Sequence, residues 1–267
     1  MTRENTLKSL FTGKSDAENA NLALQLFFTV RRSERTTFED KLVLSASRGV
    51  LENGAVTYQW GDSGPRVLIM HGWNGRATQL SGFIEPLLER GYTVLSLDAP
   101  GHGEAVGVRS NGIIFAESIL ALTEKVGPLN SVIAHSLGAT ATLVAMQRGL
   151  KIKRAVLIAP AALLEALLLF SRTMDLSEGA TALFIELAFA ETKVQPEEAV
   201  LSGMIANQDV DLLIMHDRED AEVPYAVSED LAASYPRSTL KTTTGLGHRR
   251  IVRSPEIIQE ALAFVLA

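Results

Sequence analysis

The chain has 267 residues, 46% apolar and 21% charged, enough to bury a substantial core in one large domain or two small ones. Its net charge is −6 and its one basic cluster, residues 151–154, is short, which excludes a broad nucleic-acid surface. With no cysteine, disulfides, thiolate metal sites and cysteine nucleophiles are excluded as well.

Residues 1–20 are polar and mixed in charge, without the apolar run and small-residue cleavage site of a secretory signal, so a cytoplasmic protein is expected. Across 17–30, Leu22, Leu26 and Val30 recur at helical spacing, and Leu24, Phe27 and Phe28 widen the face; an amphipathic helix is predicted. From Val56 onward, short β-branched runs alternate with helix-length stretches. Strands are predicted at 56–60, 67–70, 93–97, 131–134, 155–158, 211–215 and 239–242, and helices at 79–90, 113–125 and 137–148. The runs VLIM, VLSL, SVIA and AVLI are apolar apart from the small Ser96 and Ser131, as in strands covered on both faces. This alternation implies right-handed crossovers and a mostly parallel, doubly wound sheet.

The rhythm breaks between Pro160 and Asp209, where about fifty residues replace a single crossover. Helices are predicted there at 163–170, 181–190 and 196–205. The most apolar stretch, 155–170, is interrupted by Pro160 and Glu165 and is too short for a transmembrane segment. The insertion is either a cap over a site or a helical hairpin packed on the core. A cap would turn Leu167, Phe170, Phe184 or their neighbours toward a bound substrate. Three parts are therefore expected: a helical extension at 1–55, an α/β core at 56–160 and 209–267, and a helical cap insertion at 161–208.

Residues capable of chemistry collect where strands end. In SVIAHSLGATATLVA, Ser136 stands between a predicted strand and helix, with the small residues Ala134 and Gly138 two positions to either side. That turn exposes the hydroxyl at a helix N-terminus, where unpaired N–H groups can stabilise negative charge. Alone the pattern is weak; the flanking strand and helix give it weight. The loop HGWNG after strand 67–70 can aim a backbone N–H at the same pocket, although Asn74-Gly75 also suits an ordinary turn. Asp217, Glu219, Asp220 and Glu222 crowd the loop after strand 211–215, and most such acids are merely solvated. His248 follows the last strand, so the chain order Ser, acid, His is the one this architecture needs to gather all three at one sheet edge. All five histidines fall at or just after a strand's C-terminal end, where open α/β sheets bind ligands. His71 and His102 read as loop braces, and His135 as facing away from the nucleophile. No acidic or histidine arrangement matches a metal site, and no glycine-rich loop matches a phosphate cradle.

The segments VLIMHGWNGRATQ, VLSLDAPGHGEA, VIAHSLGATA, IMHDREDAEVP and GLGHRRI resemble, in order and spacing, the successive signatures of α/β-hydrolases. The resemblance runs from about Val56 to the C terminus, apart from the insertion. It is most specific toward bacterial members with an N-terminal helical extension, an HGW loop and an AHSLG elbow. It implies the α/β-hydrolase fold, Ser136 as nucleophile, Asp220 as acid within D-x-x-V-P, His248 as base, and the backbone amides of Trp73 and Leu137 as oxyanion hole. No cofactor is implied. The sequence departs from the family pattern at Ala134, where the elbow has Gly, at Asp217, where Gly usually follows His216, and at Ala105, where Ser is common. Asp217 thereby becomes a rival acid.

The implied reaction is two-step acyl transfer on a small-molecule ester, by a carboxylesterase or thioesterase, and the Leu- and Phe-rich insertion favours an apolar acyl or alkyl group. Carbon–carbon bond hydrolysis or acyl transfer would use the same triad. A ligand receptor that keeps the pocket without turnover is the alternative of another class. Serine at 136 excludes the aspartate-nucleophile chemistry of the family's dehalogenases and epoxide hydrolases.

Overall fold

Successive side chains of a strand point to opposite faces, so an all-apolar strand is stable only between two covering layers. The central strands here are placed in that way. The computed structural model describes residues 3–205 and 208–267. Its strands are β1 (Ser47–Val50), β2 (Val56–Trp60), β3 (Arg66–Met70), β4 (Thr93–Asp98), β5 (Ser131–His135), β6 (Arg154–Ile158), β7 (Asp211–Asp217) and β8 (Ser238–Thr243). They form one sheet in the order β1-β2-β4-β3-β5-β6-β7-β8. β2 runs antiparallel to β1 and β4, and every later pairing is parallel. All seven expected strands are present. β1 had no signal: it is a mostly exposed edge strand, SRGV, whose only strong strand former, Val50, faces solvent.

Among the described residues, α1 (Arg3–Ser9), α2 (Asp16–Phe27) and α3 (Thr37–Ser45) precede the sheet. Then follow α4 (Ile84–Leu88), α5 (Gly112–Val126), α6 (Leu137–Gln147), α7 (Leu163–Thr173), α8 (Glu178–Thr192), α9 (Leu201–Ile205), α10 (Ala226–Ser234), α11 (Gly247–Arg250) and α12 (Pro255–Leu266). The helix expected at 79–90 is a 3₁₀ segment over Ala77–Phe83 followed by the short α4. Pro86 explains the break: in the first turn of α4 its missing N–H costs nothing, whereas inside a longer helix it would lose a bond and clash. The expected helix at 196–205 likewise divides into a 3₁₀ turn, Pro196–Ala199, and α9.

Leu68, Met70, Val132, Leu157 and Ile214 face one layer, packing with Phe115, Ile119 and Leu143. Val67, Ile69, Ile133, Val156 and Met215 face the other, with Phe83, Leu87, Ile257 and Leu262. No helix among the described residues is long and apolar enough to cross a membrane.

A third cluster lies apart from the sheet and corrects one expectation. Leu167 and Phe184 do not present an open surface to a substrate; both are fully buried with Ala20, Ala23, Leu24 and Phe28 of the N-terminal segment. Phe27, Phe170 and Phe184 meet with ring centroids 5.5–5.6 Å apart. The insertion's apolar face is thus covered by α2, whose own stripe needs the same cover.

Beyond α2 the chain is strapped across the sheet's C-terminal edge. Thr29 forms an isolated antiparallel bridge with Arg109. The Arg31 amide donates to Asn74 Oδ1 at 2.7 Å, and the Arg32 guanidinium donates to the carbonyls of Gly101, Ala105 and Gly107. Arg76 pairs with Glu39 at 2.8 Å and donates to the Ser33 carbonyl. The Glu191 carboxylate of α8 accepts from Arg109, which also bonds Gln25 of α2. Extension, insertion and the loops after β3 and β4 are therefore joined by polar contacts as well as by packing.

Candidate active site

After β3 the chain moves to β4 on one side, then crosses to β5 on the other. That reversal leaves a crevice beyond the C-terminal ends of β3 and β5, the usual binding position in open α/β sheets. Ser136 stands at the end of β5 with φ 54° and ψ −122°, a conformation costly for a residue with a Cβ. Its N–H donates to the Ile158 carbonyl at 2.9 Å, and its carbonyl accepts from Ala139 N–H at 3.0 Å, so both neighbours hold the strained turn. Two glycines make room for it. A Cβ on Gly72 would lie 2.9 Å from Ser136 Cβ, and one on Gly138 would overlap the His71 carbonyl. Ala134, at the departure from the elbow's first Gly, is fully buried and paired with Met70 and Leu157.

His248, in α11 after β8, is buried against this turn. Its Nε2 lies 3.0 Å from Ser136 Oγ, and its Nδ1 lies 2.7 Å from Asp220 Oδ2. Asp220 Oδ1 accepts the Glu222 and Val223 amides at 2.8 Å each, and Oδ2 also faces His216 Nε2 at 3.1 Å. Burial pushes this carboxyl's pKa up, but the bonds from His216, His248 and Val223 together outweigh burial and hold it well below the ordinary carboxylate range. His216 Nε2 donates to this carboxylate, and its Nδ1 lies 2.7 Å from the Ser228 hydroxyl.

The rival acid lies elsewhere. Asp217 accepts from Thr243 Oγ1 at 2.7 Å, the Leu246 amide at 3.0 Å and the Glu219 amide at 3.0 Å, tying β7 to the loop that carries His248. None of its contacts is the His248 ring. Ala105 donates its N–H to the His102 carbonyl, so the loop closes through backbone without a serine hydroxyl.

Leu137 opens α6, where an N–H has no acceptor within the helix, and Trp73 follows the glycine that packs on Ser136. The Trp73 ring stands edge-on to His102 at 5.1 Å. His71 Nδ1–H donates to the Gly72 carbonyl at 2.7 Å, and its Nε2 accepts the Ala99 amide at 3.2 Å, the bracing role expected of it. Burial lowers the pKa of His71 to about 4 and those of His102 and His135 to about 3, which keeps all three neutral. Ser136, His248 and Asp220 are thus brought together, with Asp217 set apart. His216 had no assigned part in the sequence reading; its only signal was its place among the histidines at strand ends.

A family model described as the alpha/beta hydrolase family matches residues 67–260. No curated protein matches the chain in sequence. Among solved structures, a membrane phospholipase A, a bacterial virulence factor, is similar at 18% identity and TM-score 0.68, covering 93% of this chain and 91% of that one. An esterase from Exiguobacterium antarcticum gives 18% and 0.62, covering 83% and 99%. A meta-cleavage product hydrolase from Pseudomonas fluorescens gives 18% and 0.59, covering 83% and 98%. At these identities the likeness is one of fold, and it does not choose among the reactions.

Proposed function

Because this chain belongs to the alpha/beta hydrolase family, we propose that it is a serine hydrolase cleaving carboxylic esters or thioesters with an apolar acyl or alkyl group. The observation that carries the reading is the unbroken hydrogen-bond line from Ser136 Oγ through both nitrogens of His248 to Asp220. Asp220 accepts from Nδ1–H and so fixes the tautomer that leaves Nε2 free to take the serine proton. Ser136 then attacks the substrate carbonyl, and the backbone N–H groups of Trp73 and Leu137 hold the oxyanion. His248 returns the proton to the leaving alcohol or thiol, and water, deprotonated by the same nitrogen, hydrolyses the acyl-enzyme. The cycle needs no cofactor. Trp73 and Leu137, both half-buried beside the nucleophile, support an apolar group at the reacting carbonyl.

The test is covalent labelling and turnover. A fluorophosphonate probe is expected to label Ser136 and to fail on Ser136→Ala. Ser136→Ala and His248→Ala are each expected to lose several orders of magnitude in kcat on p-nitrophenyl esters, with the double variant little worse, because the two act as a unit. Additive losses, or labelling elsewhere, would overturn the assignment. A screen of p-nitrophenyl esters and acyl thioesters of increasing chain length then identifies the substrate class.

A further inference from the structure

His135 precedes the nucleophile as the last residue of β5, and strand alternation puts its side chain on the Ile133 face. There it is buried, and its Nε2 lies 2.9 Å from the carbonyl oxygen of His248. Its Nδ1 lies 3.3 Å from Gln79 Nε2, and Gln79 Oε1 accepts the Gly72 amide at 3.0 Å. One set of proton positions satisfies all three contacts. A carbonyl can only accept, so His135 carries its proton on Nε2, its Nδ1 accepts from the Gln79 amide, and the Gln79 oxygen is left facing Gly72 N–H. The reverse tautomer would set lone pair against lone pair at His248 and donor against donor at Gly72. Burial, and then the charge that His248 takes up in turnover, keep His135 neutral. The two imidazole rings are 4.6 Å apart.

We propose that Gln79 and His135 are positioning residues, a relay that holds the backbone of His248 and the loop of Gly72 and Trp73 in one fixed geometry. The inference rests on the reading of Ser136 and His248 given above. One end of the relay grips the residue that moves the proton. The other grips the amide next to the Trp73 N–H that would receive the oxyanion. Base and oxyanion donor approach the same reacting carbonyl from different loops, and an error of about 1 Å between them can cost roughly a hundredfold in rate. Neither residue touches the reacting atoms.

The experiment uses Gln79→Leu, His135→Phe and the double variant beside wild type and Ser136→Ala. Gln79 is half-buried beside a solvent-open cleft of ≈ 310 Å³, so leucine is accommodated; phenylalanine keeps the ring of His135 but neither bond. On p-nitrophenyl butyrate each single variant is expected to lose about ten- to a hundredfold in kcat, with KM within about threefold. The double variant should be no worse than the weaker single. Hydrogen exchange gives a readout without turnover: the Gly72 amide, whose bond is to Gln79, should be protected in wild type and exchange faster in Gln79→Leu and also in His135→Phe, where position 135 packs on Gly72 but accepts no hydrogen bond from its amide. Wild-type kcat in folded Gln79→Leu, additive losses, or a Gly72 amide still protected in His135→Phe would each overturn the relay. If wild type itself neither turns over esters nor is labelled at Ser136, the functional reading falls, and the exchange result alone decides whether the relay exists.

Discussion

Asp217 and Asp220 stand three residues apart with both side chains buried, yet their partners separate them completely. Asp220 spends one oxygen on two amides and the other on His216 and His248; Asp217 spends both on Thr243 and on amides of the adjoining loops. Asp220→Asn is expected to cut kcat by up to roughly 10⁴-fold, since an amide in place of the carboxylate lets His248 adopt the wrong tautomer. Asp217→Asn should change kcat by less than about tenfold and lower the melting temperature instead, because a buried acceptor of three bonds is weakened. Steady-state rates and melts of both variants check this, and a reversed order would move the acid to 217. The family resemblance, through D-x-x-V-P, pointed to Asp220, and the crowding of acids in the loop pointed equally to its neighbours. What decides between them is the direction of individual lone pairs and N–H groups, which residue order does not encode. His216 and Gln79 were illegible for the same reason: each is polar and unremarked until its partners are brought to it from distant loops.

The central strands were legible because nearly unbroken apolar runs admit few other placements, and β1 was not because an exposed edge strand carries no such run. The helices of the insertion were legible as amphipathic faces, but a period reveals that a face exists and not what covers it. α2 and the pair α7 and α8 each carry an apolar stripe too large to leave in water, and each covers the other. Leu167→Ala and Phe184→Ala are therefore expected to cost roughly 2–5 kcal/mol each in stability. Their relative rates on acetate, butyrate and octanoate esters should match those of wild type. Thermal melts and kcat/KM across that series test both halves. A selective loss on the longer chains would return these side chains to the substrate pocket.

Folding the whole chain places His71, His102 and His135 in surroundings that refuse a charge, and this sets how the molecule responds to acid. Burial is the main cause in each case, and the folded pKa values are about 4, 3 and 3, against about 6.5 in an unfolded chain. Between those limits the unfolded state binds protons that the folded state does not, so stability rises with pH and is lost on acidification. Each histidine can contribute a slope approaching about 1.4 kcal/mol per pH unit, or about 4 for the three, against a total stability of about 5–15 kcal/mol. Asp220, held below the usual carboxylate range, acts in the same direction but only below its unfolded pKa, near 3.9. Glu39, lowered to about 2 in spite of burial by its bonds to Arg76, Thr36 and Thr78, does so in the same low window. The interval from about pH 5 to 6.5 thus separates the histidines from the carboxylates. Urea unfolding across that interval should show stability falling steeply toward acid. His102→Phe keeps a ring against Trp73, His71 and Phe115 and removes one of the three titrating groups, so the slope should fall by about a third. A wild-type slope in that variant would show that these histidines find protons in the folded state after all.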